Sequence, residues 1–253
     1  MAETTLDRGA AEAIAGGWHG DPFGVLGPHK AAKGWEVRAF VPGADRLWVI
    51  TGKTVAEAEA YPGIPGLFTH QLARKANYRL RAEGHGNTWE FEDPYRFGPV
   101  LGEMDEYLLG EGSHRRLWQV LGAHVMVHEG VEGVHFAVWA PNAERVSVVG
   151  DFNVWDGRRN AMRRRGATGV WEIFVPGLGE GTAYKYEIKG PGGAVMPLKA
   201  DPVGFGSEHP PANASVVRTI HGNWQDGDWM DTRAARHTTD APISVYEVHL
   251  GSW

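Results

Sequence analysis

The residues best suited to chemistry lie between Asp151 and Asp156, where one indole, Trp155, stands among two carboxylates and the amide of Asn153. A flat aromatic face among short polar side chains suits a sugar, whose C–H face lies on the indole while amides and carboxylates meet its hydroxyls. Lys185 is the second candidate. It stands between Tyr184 and Tyr186 in an alternating run and so faces away from both, where its ammonium can donate to hydroxyls of a sugar stacked on Trp155. Each residue also has a plainer reading: Trp155 as the cap of a β-core, Lys185 as a solvated strand lysine. Cysteine is absent, which removes disulfides, thiolate metal sites and thiol nucleophiles, and no metal or cofactor site is read. With 25 Lys+Arg against 31 Asp+Glu, a net charge of −6 and only short basic clusters such as Arg163 to Arg165, the chain offers no basic face to nucleic acid or a membrane.

The elements that must position these residues are strands. Val134 to Trp139 and Arg145 to Val149 read as two of them joined by a Pro-Asn turn, with Val134, Phe136 and Val138 on one face. Trp171 to Val175 and Tyr184 to Lys189 follow in the same style. Upstream, Trp35 to Phe40, Arg46 to Ile50, Asn77 to Ala82 and Trp89 to Phe91 also alternate. Helix is minor: Asp7 caps a short one ended by Gly16 and Gly17.

An internal repeat organises these strands. GWEVRAFVPGADRLWVI (34–50) matches GVHFAVWAPNAERVSVV (133–149) without a gap, Tyr78 to Gly84 answers Tyr184 to Gly190, and Asp93-Pro94 answers Asp201-Pro202. The fold class is therefore all-β, with two tandem immunoglobulin-like β-sandwich modules at residues 1–100 and 123–218. Between them, residues 101–122 form a linker with one helix over Met104 to Leu109 and a second from a Ser113 cap to Val120, ended by Gly122. Leu117, Trp118, Val120 and Leu121 are too apolar for a free tether, so the linker should pack against a module. Residues 219–253 are a connector ending in a buried-looking strand, Ile243 to Trp253, that has no partner after it. In isolation that strand should be an exposed apolar edge, and deleting it should improve solubility. With no leader pattern and no run of eighteen apolar residues, a cytoplasmic location is expected.

The motifs HGDPFGVLGPH (19–29), DPYRFGP (93–99), MDEYLLGEGSHRRLWQVLGAH (104–124), FAVWAPNAERVSVVGDFNVWDGRRNAM (136–162), KADP (199–202) and ISVYEVHLGSW (243–253) together resemble the N-terminal portion of bacterial glycogen branching enzymes of the α-amylase superfamily. The resemblance implies that the second module is a family forty-eight carbohydrate-binding module and that ISVYEVHLGSW opens a catalytic (β/α)8 barrel otherwise missing from this chain. It implies an α-glucan partner such as glycogen or amylose, the barrel as a second partner, and Trp155, Lys185 and Asn213 as sugar contacts. His221, Trp224 and Trp229 are expected between module and barrel. The hairpin 190–196 lacks the second stacking aromatic of tight-binding relatives. Retaining glycoside chemistry needs two carboxyl groups about 5 Å apart. The nearest pairs here, Glu103/Asp105, Asp151/Asp156 and Asp226/Asp228, read as linker or loop carboxylates, so no catalytic residue is assigned and the chain alone is expected to be inactive. The alternative is a complete, non-catalytic tandem glucan-binding protein.

Overall fold

Local signals set the first element. The Asp7 carboxylate accepts from the Ala10 amide at 3.0 Å and caps α1 (Arg8–Gly16), which ends where Gly17 takes a left-handed φ of 68°. The computed structural model describes residues 4–220, 222 and 224–252. Residues up to 219 form one compact unit, and those from 220 onward a second.

The four alternating runs become strands among eight, β1 (Gly27–Lys30), β2 (Trp35–Phe40), β3 (Arg46–Thr51), β4 (Thr54–Glu57), β5 (Glu59–Ala60), β6 (Leu67–Leu72), β7 (Arg79–Gly84) and β8 (Asn87–Phe91), of which β1, β4, β5 and β6 were not read from the sequence. They pair as two four-stranded antiparallel sheets, β1-β2-β6-β5 and β4-β3-β7-β8. The core between them holds Val37, Ala39, Leu47, Val49, Phe68 and Leu80. Alternation alone would leave the other face of β2 in water. Instead Phe40 and Leu67 pack under α1 with Leu6, Ala11, Ile14 and Leu26, and Glu36 is buried, receiving hydrogen bonds from Arg38 and Gln71 at 2.6 and 2.8 Å.

A second set follows: β9 (Gly122–His128), β10 (Val131–Trp139), β11 (Arg145–Val149), β12 (Arg163–Arg165), β13 (Val170–Pro176), β14 (Ala183–Lys189) and β15 (Ser215–Val216). Sheet β12-β13-β10-β9 faces sheet β11-β14-β15 across Val134, Phe136, Val138, Val148, Trp171, Ile173, Tyr184 and Tyr186. The repeated segments pair in the same register. Val49 opposes Leu80 and Ile50 opposes Arg79, just as Val148 opposes Tyr186 and Val149 opposes Lys185. Each set also repeats a buried tyrosine on a buried aspartate. Tyr78 donates to Asp93 at 2.5 Å, and Tyr184 donates to Asp201 at 2.7 Å.

The stretches 19–29 and 93–99 join the two sets. Phe23 packs edge-on against Tyr95, with the Arg163 guanidinium 3.7 Å from the centre of the Phe23 ring. The Tyr95 hydroxyl donates to the Arg159 carbonyl (3.1 Å) and accepts from the Ala161 amide (3.0 Å), while Arg159 donates to the Pro42 carbonyl.

The linker differs from its sequence reading. Its first helix, α2 (Glu103–Glu111), forms and stops at left-handed Gly112, but the second shrinks to a single 3-10 turn, Leu117–Gln119. Gly122 opens β9 instead of ending a helix. The stretch Ser113 to Val120 carries two adjacent arginines and no stripe of buried side chains, and the amides of Val120 and Leu121 both close on the Leu117 carbonyl, a turn and not a continuing helix. Leu101 and Leu121 do pack on Ala137 and Val170, whereas Leu117 and Trp118 stay largely exposed.

In the second unit the described elements are α3 (Gly227–Arg236) and a 3-10 turn at Leu250–Ser252. The expected strand from Ile243 is not formed over residues 243–249, and Val245 is 85% exposed. A strand needs a neighbouring strand for its amides and carbonyls, and among the described residues no sheet includes this run. His221 and Trp253 lie outside the described residues, and Trp224 is exposed. Deleting residues 243–253 is therefore expected to raise the concentration at which the chain stays monodisperse in light scattering. Unchanged or worse aggregation would count against an exposed apolar tail.

Candidate functional site

The loop that carries Trp155 is built by its polar residues. After Val149 the chain turns at Gly150, where a β-carbon would lie 2.5 Å from the Ala183 carbonyl oxygen, so only glycine fits. Buried Asn153 accepts from the Gly150 amide at 3.0 Å and donates to the Val148 carbonyl and the Asn160 side chain at 2.9 and 2.8 Å. These bonds hold Val154 and Trp155 at φ 52° and 57°, a left-handed conformation that neither residue adopts readily. The Trp155 amide donates to the Gly150 carbonyl at 3.0 Å, and its indole N–H to Asp151 Oδ1 at 2.8 Å.

The indole is therefore fixed while remaining 36% exposed. Phe152, not Trp155, is the side chain through which this loop packs on the core. Asp156 is committed to Arg158 at 2.7 Å. Burial pushes its carboxyl up, but the Arg158 hydrogen bonds and the Arg158 and Arg159 charges bring it below its ordinary value.

Lys185 lies on β14 directly opposite Val149, the last strand residue before the Trp155 loop. As alternation requires, Tyr184 and Tyr186 are buried and Lys185 is not. Its ammonium donates to the side-chain oxygen of Asn213, 28 residues away in sequence, so two of the three expected contact residues touch. Trp155 bonds to Asp151 instead. Sequence reasoning missed Asp151 as the group that orients the indole, although the spacing of four residues was visible. In the hairpin after β14 the amides of Gly192 and Gly193 bond the Glu144 carboxylate at 3.1 and 3.2 Å, with no aromatic there.

The carboxylates considered as pairs have partners of other kinds. Asp105 bonds the ring of His114 at 3.0 Å, Asp151 holds Trp155, and Asp226 and Asp228 sit at the start of α3. Among the described residues no cluster of His, Asp and Glu is arranged to hold a metal ion, and no helix is long and apolar enough to cross a membrane. A partly exposed indole beside an ammonium and an amide is chemically suited to a polar ligand with a flat face.

Comparison with known proteins gives the context. Residues 7–95 match the N-terminal domain of alpha-1,4-glucan branching enzyme GlgB, and residues 120–204, which include Trp155 and Lys185, match carbohydrate-binding module 48, the isoamylase N-terminal domain. The 1,4-alpha-glucan branching enzymes GlgB of Roseobacter denitrificans, Rubrobacter xylanophilus and Pseudomonas aeruginosa are 60%, 53% and 53% identical over 96%, 96% and 94% of this chain, which covers 34%, 34% and 33% of each. A pullulanase from Anoxybacillus sp. LM18-11 complexed with maltotetraose covers 88% of the chain and 28% of its own at 14% identity and a TM-score of 0.34, too distant to assign anything. The chain thus corresponds over nearly all of its length to the N-terminal region of the 1,4-alpha-glucan branching enzymes, a GlgB N-terminal domain followed by a carbohydrate-binding module 48, and spans about a third of those relatives' length.

Proposed function

We propose that this chain is the glucan-positioning region of a glycogen branching enzyme, in which Trp155, Lys185 and Asn213 hold an α-1,4-glucan. In the whole enzyme a glucan segment would be cut from an α-1,4 chain and moved to a 6-hydroxyl as an α-1,6 branch, by carboxylates outside this chain. The two modules, residues 1–100 and 123–218, are copies of one immunoglobulin-like unit. The shared strand register and the repeated Tyr–Asp bond support that reading. Residues 101–122 are the linker, held on the second module through Leu101 and Leu121, and residues 219–253 lead toward the barrel, their apolar run from Ile243 supplying its opening strand.

The observation that carries the binding site is the fixed indole. Two hydrogen bonds hold Trp155 in a costly backbone conformation while its ring stays partly open and out of the core. Pre-ordering of this kind lowers the entropy lost when a ligand stacks. Affinity electrophoresis through glycogen and amylose tests it. The chain should be retarded, and Trp155→Ala, with an unchanged far-ultraviolet spectrum, should bind about tenfold more weakly. Equal retardation of parent and variant, or none of the parent, would refute the assignment.

A further inference from the structure

A second indole is presented in a similar way on the first half of the chain. Trp18 follows the end of α1 and folds back on it, its amide donating to the Ala13 carbonyl at 2.9 Å. A β-carbon at Gly16 would lie 1.5 Å from Trp18 Cζ3, so the ring rests flat on the bare Gly16 backbone. One face is sealed in this way and the side chain is still 59% exposed. Trp18 lines an open depression of about 360 Å³ together with Arg8, Glu12, Ala15, Gly16, Ile64 and Pro65. Its rim is held in place: Arg8 donates to Glu12 at 2.7 Å and to the Pro62 carbonyl at 3.1 Å.

We infer that this depression is a second α-glucan subsite, with Trp18 as its stacking platform and Arg8 and Glu12 as its hydroxyl partners. The inference rests on the reading that the chain binds α-glucan. Three features select a neutral sugar over other ligands. The Arg8–Glu12 pair cancels its own charge, so neither an anion nor a cation is favoured. The depression is lined chiefly by apolar groups with one polar pair at its rim, the lining of a small-ligand site. A single flat ring beside one donor and one acceptor matches the alternation of C–H faces and hydroxyls along a glucan.

The neighbours of the two indoles are linked through Arg158. A β-carbon at Gly17, beside Trp18, would lie 2.9 Å from Arg158 Cγ, and Arg158 is paired with Asp156, the neighbour of Trp155. One polymer that touches both gains by effective concentration, which neither subsite alone supplies.

The test uses the 253-residue chain with ¹⁵N-labelled indoles, maltoheptaose as the probe, and Trp18→Phe to assign the Trp18 indole signal. That signal should shift on titration, and should still shift in Trp155→Ala. Gly16→Ala suits a helix end but places a methyl group where the ring lies, so it should abolish the shift while the spectrum of the fold persists. On glycogen, Trp18→Ala should weaken binding about threefold to tenfold, and the double variant with Trp155→Ala should lose it. A Trp18 signal that does not move in either background overturns the inference. Movement of Trp18 with a silent Trp155 would support this subsite and refute the Trp155 assignment, so the two failures are distinguishable.

Discussion

Glu172→Ala is expected to lower the unfolding free energy by about 3–5 kcal/mol, the cost of removing one member of a buried ionic group. Glu172 lies on β13 between Trp171 and Ile173 but points to the opposite face, where it is 1% exposed. One of its oxygens receives the Leu101 amide at 2.8 Å, the Val100 amide at 3.1 Å and the His135 ring at 2.9 Å, and the Arg165 guanidinium lies 3.3 Å from the other. Alanine would leave the Val100 and Leu101 amides buried without their acceptor and remove the charge beside Arg165, which keeps its bonds to the Leu101 carbonyl and Glu106. The linker would lose the anchor that holds Leu101 over Ala137 and Val170. The sign with pH follows from the same contacts. Burial pushes the carboxyl up, but the His135 hydrogen bond and charge, the Leu101 amide and Arg165 bring it below the ordinary glutamate value. A depressed folded pKa contributes stability that is present above the unfolded value near 4.5 and is lost as pH falls through the folded one. The alanine variant should therefore lose most against the parent at pH 6–8 and less in acid. Urea unfolding measures both, and exchange of the Leu101 amide should accelerate in step. A loss under about 1 kcal/mol at pH 7 would show that the apolar contacts of Leu101 and Leu121 and the Arg165 bonds to Leu101 and Glu106 hold the linker without Glu172.

Glu172 also marks the boundary of what can be read from sequence. Trp171-Glu172-Ile173 looks like a half-buried strand with its glutamate in water, and only the linker, 71 residues away, makes it a buried anchor. Glu36 repeats the lesson on β2, where α1 and the 19–29 stretch cover a face that alternation assigns to solvent. Strands β2, β3, β7, β8, β10, β11, β13 and β14 were legible because one face of each lies on a core, which imposes a period of two, whereas β6, Leu67–Leu72, has buried side chains on both faces and no such period to read. Helix α1 was legible because its cap and its stop are local. The second linker helix was not, since its signals, a serine and a glycine, fit a 3-10 turn and a strand start equally well. The Ile243 run is apolar enough for a strand, but a strand is a property of a pair. At the candidate site the order of Asp151, Asn153 and Trp155 hinted at a structured loop. The Lys185–Asn213 contact spans a distance in sequence that no local pattern reports.

Asp93→Asn is the converse case, in which removing a charge is expected to stabilise. Asp93 is buried, accepts from the Tyr78 hydroxyl at 2.5 Å and from the Tyr95 amide at 3.0 Å, and so starts the turn that aims Tyr95 at Arg159 and Ala161. Burial drives its pKa up to about 6 from 3.8, against the pull of those two hydrogen bonds and the Arg96 charge. The folded state therefore holds this proton more tightly than the unfolded chain. The associated stability is fully present below pH 3.8 and is lost as pH rises through about 6, a change of about 3 kcal/mol over that window. Asparagine keeps the size and an acceptor oxygen without the charge, so the variant has nothing to lose there. Its unfolding free energy minus that of the parent should be about 3 kcal/mol more favourable at pH 8 than at pH 4, and the other carboxylates cancel in the difference. Urea midpoints at pH 4, 6 and 8 would show it. A difference that stays flat, or shrinks with rising pH, would mean that Tyr78 and Tyr95 hold the ionised carboxylate as well as water does, and that the cost of the buried charge is met in full by its hydrogen bonds.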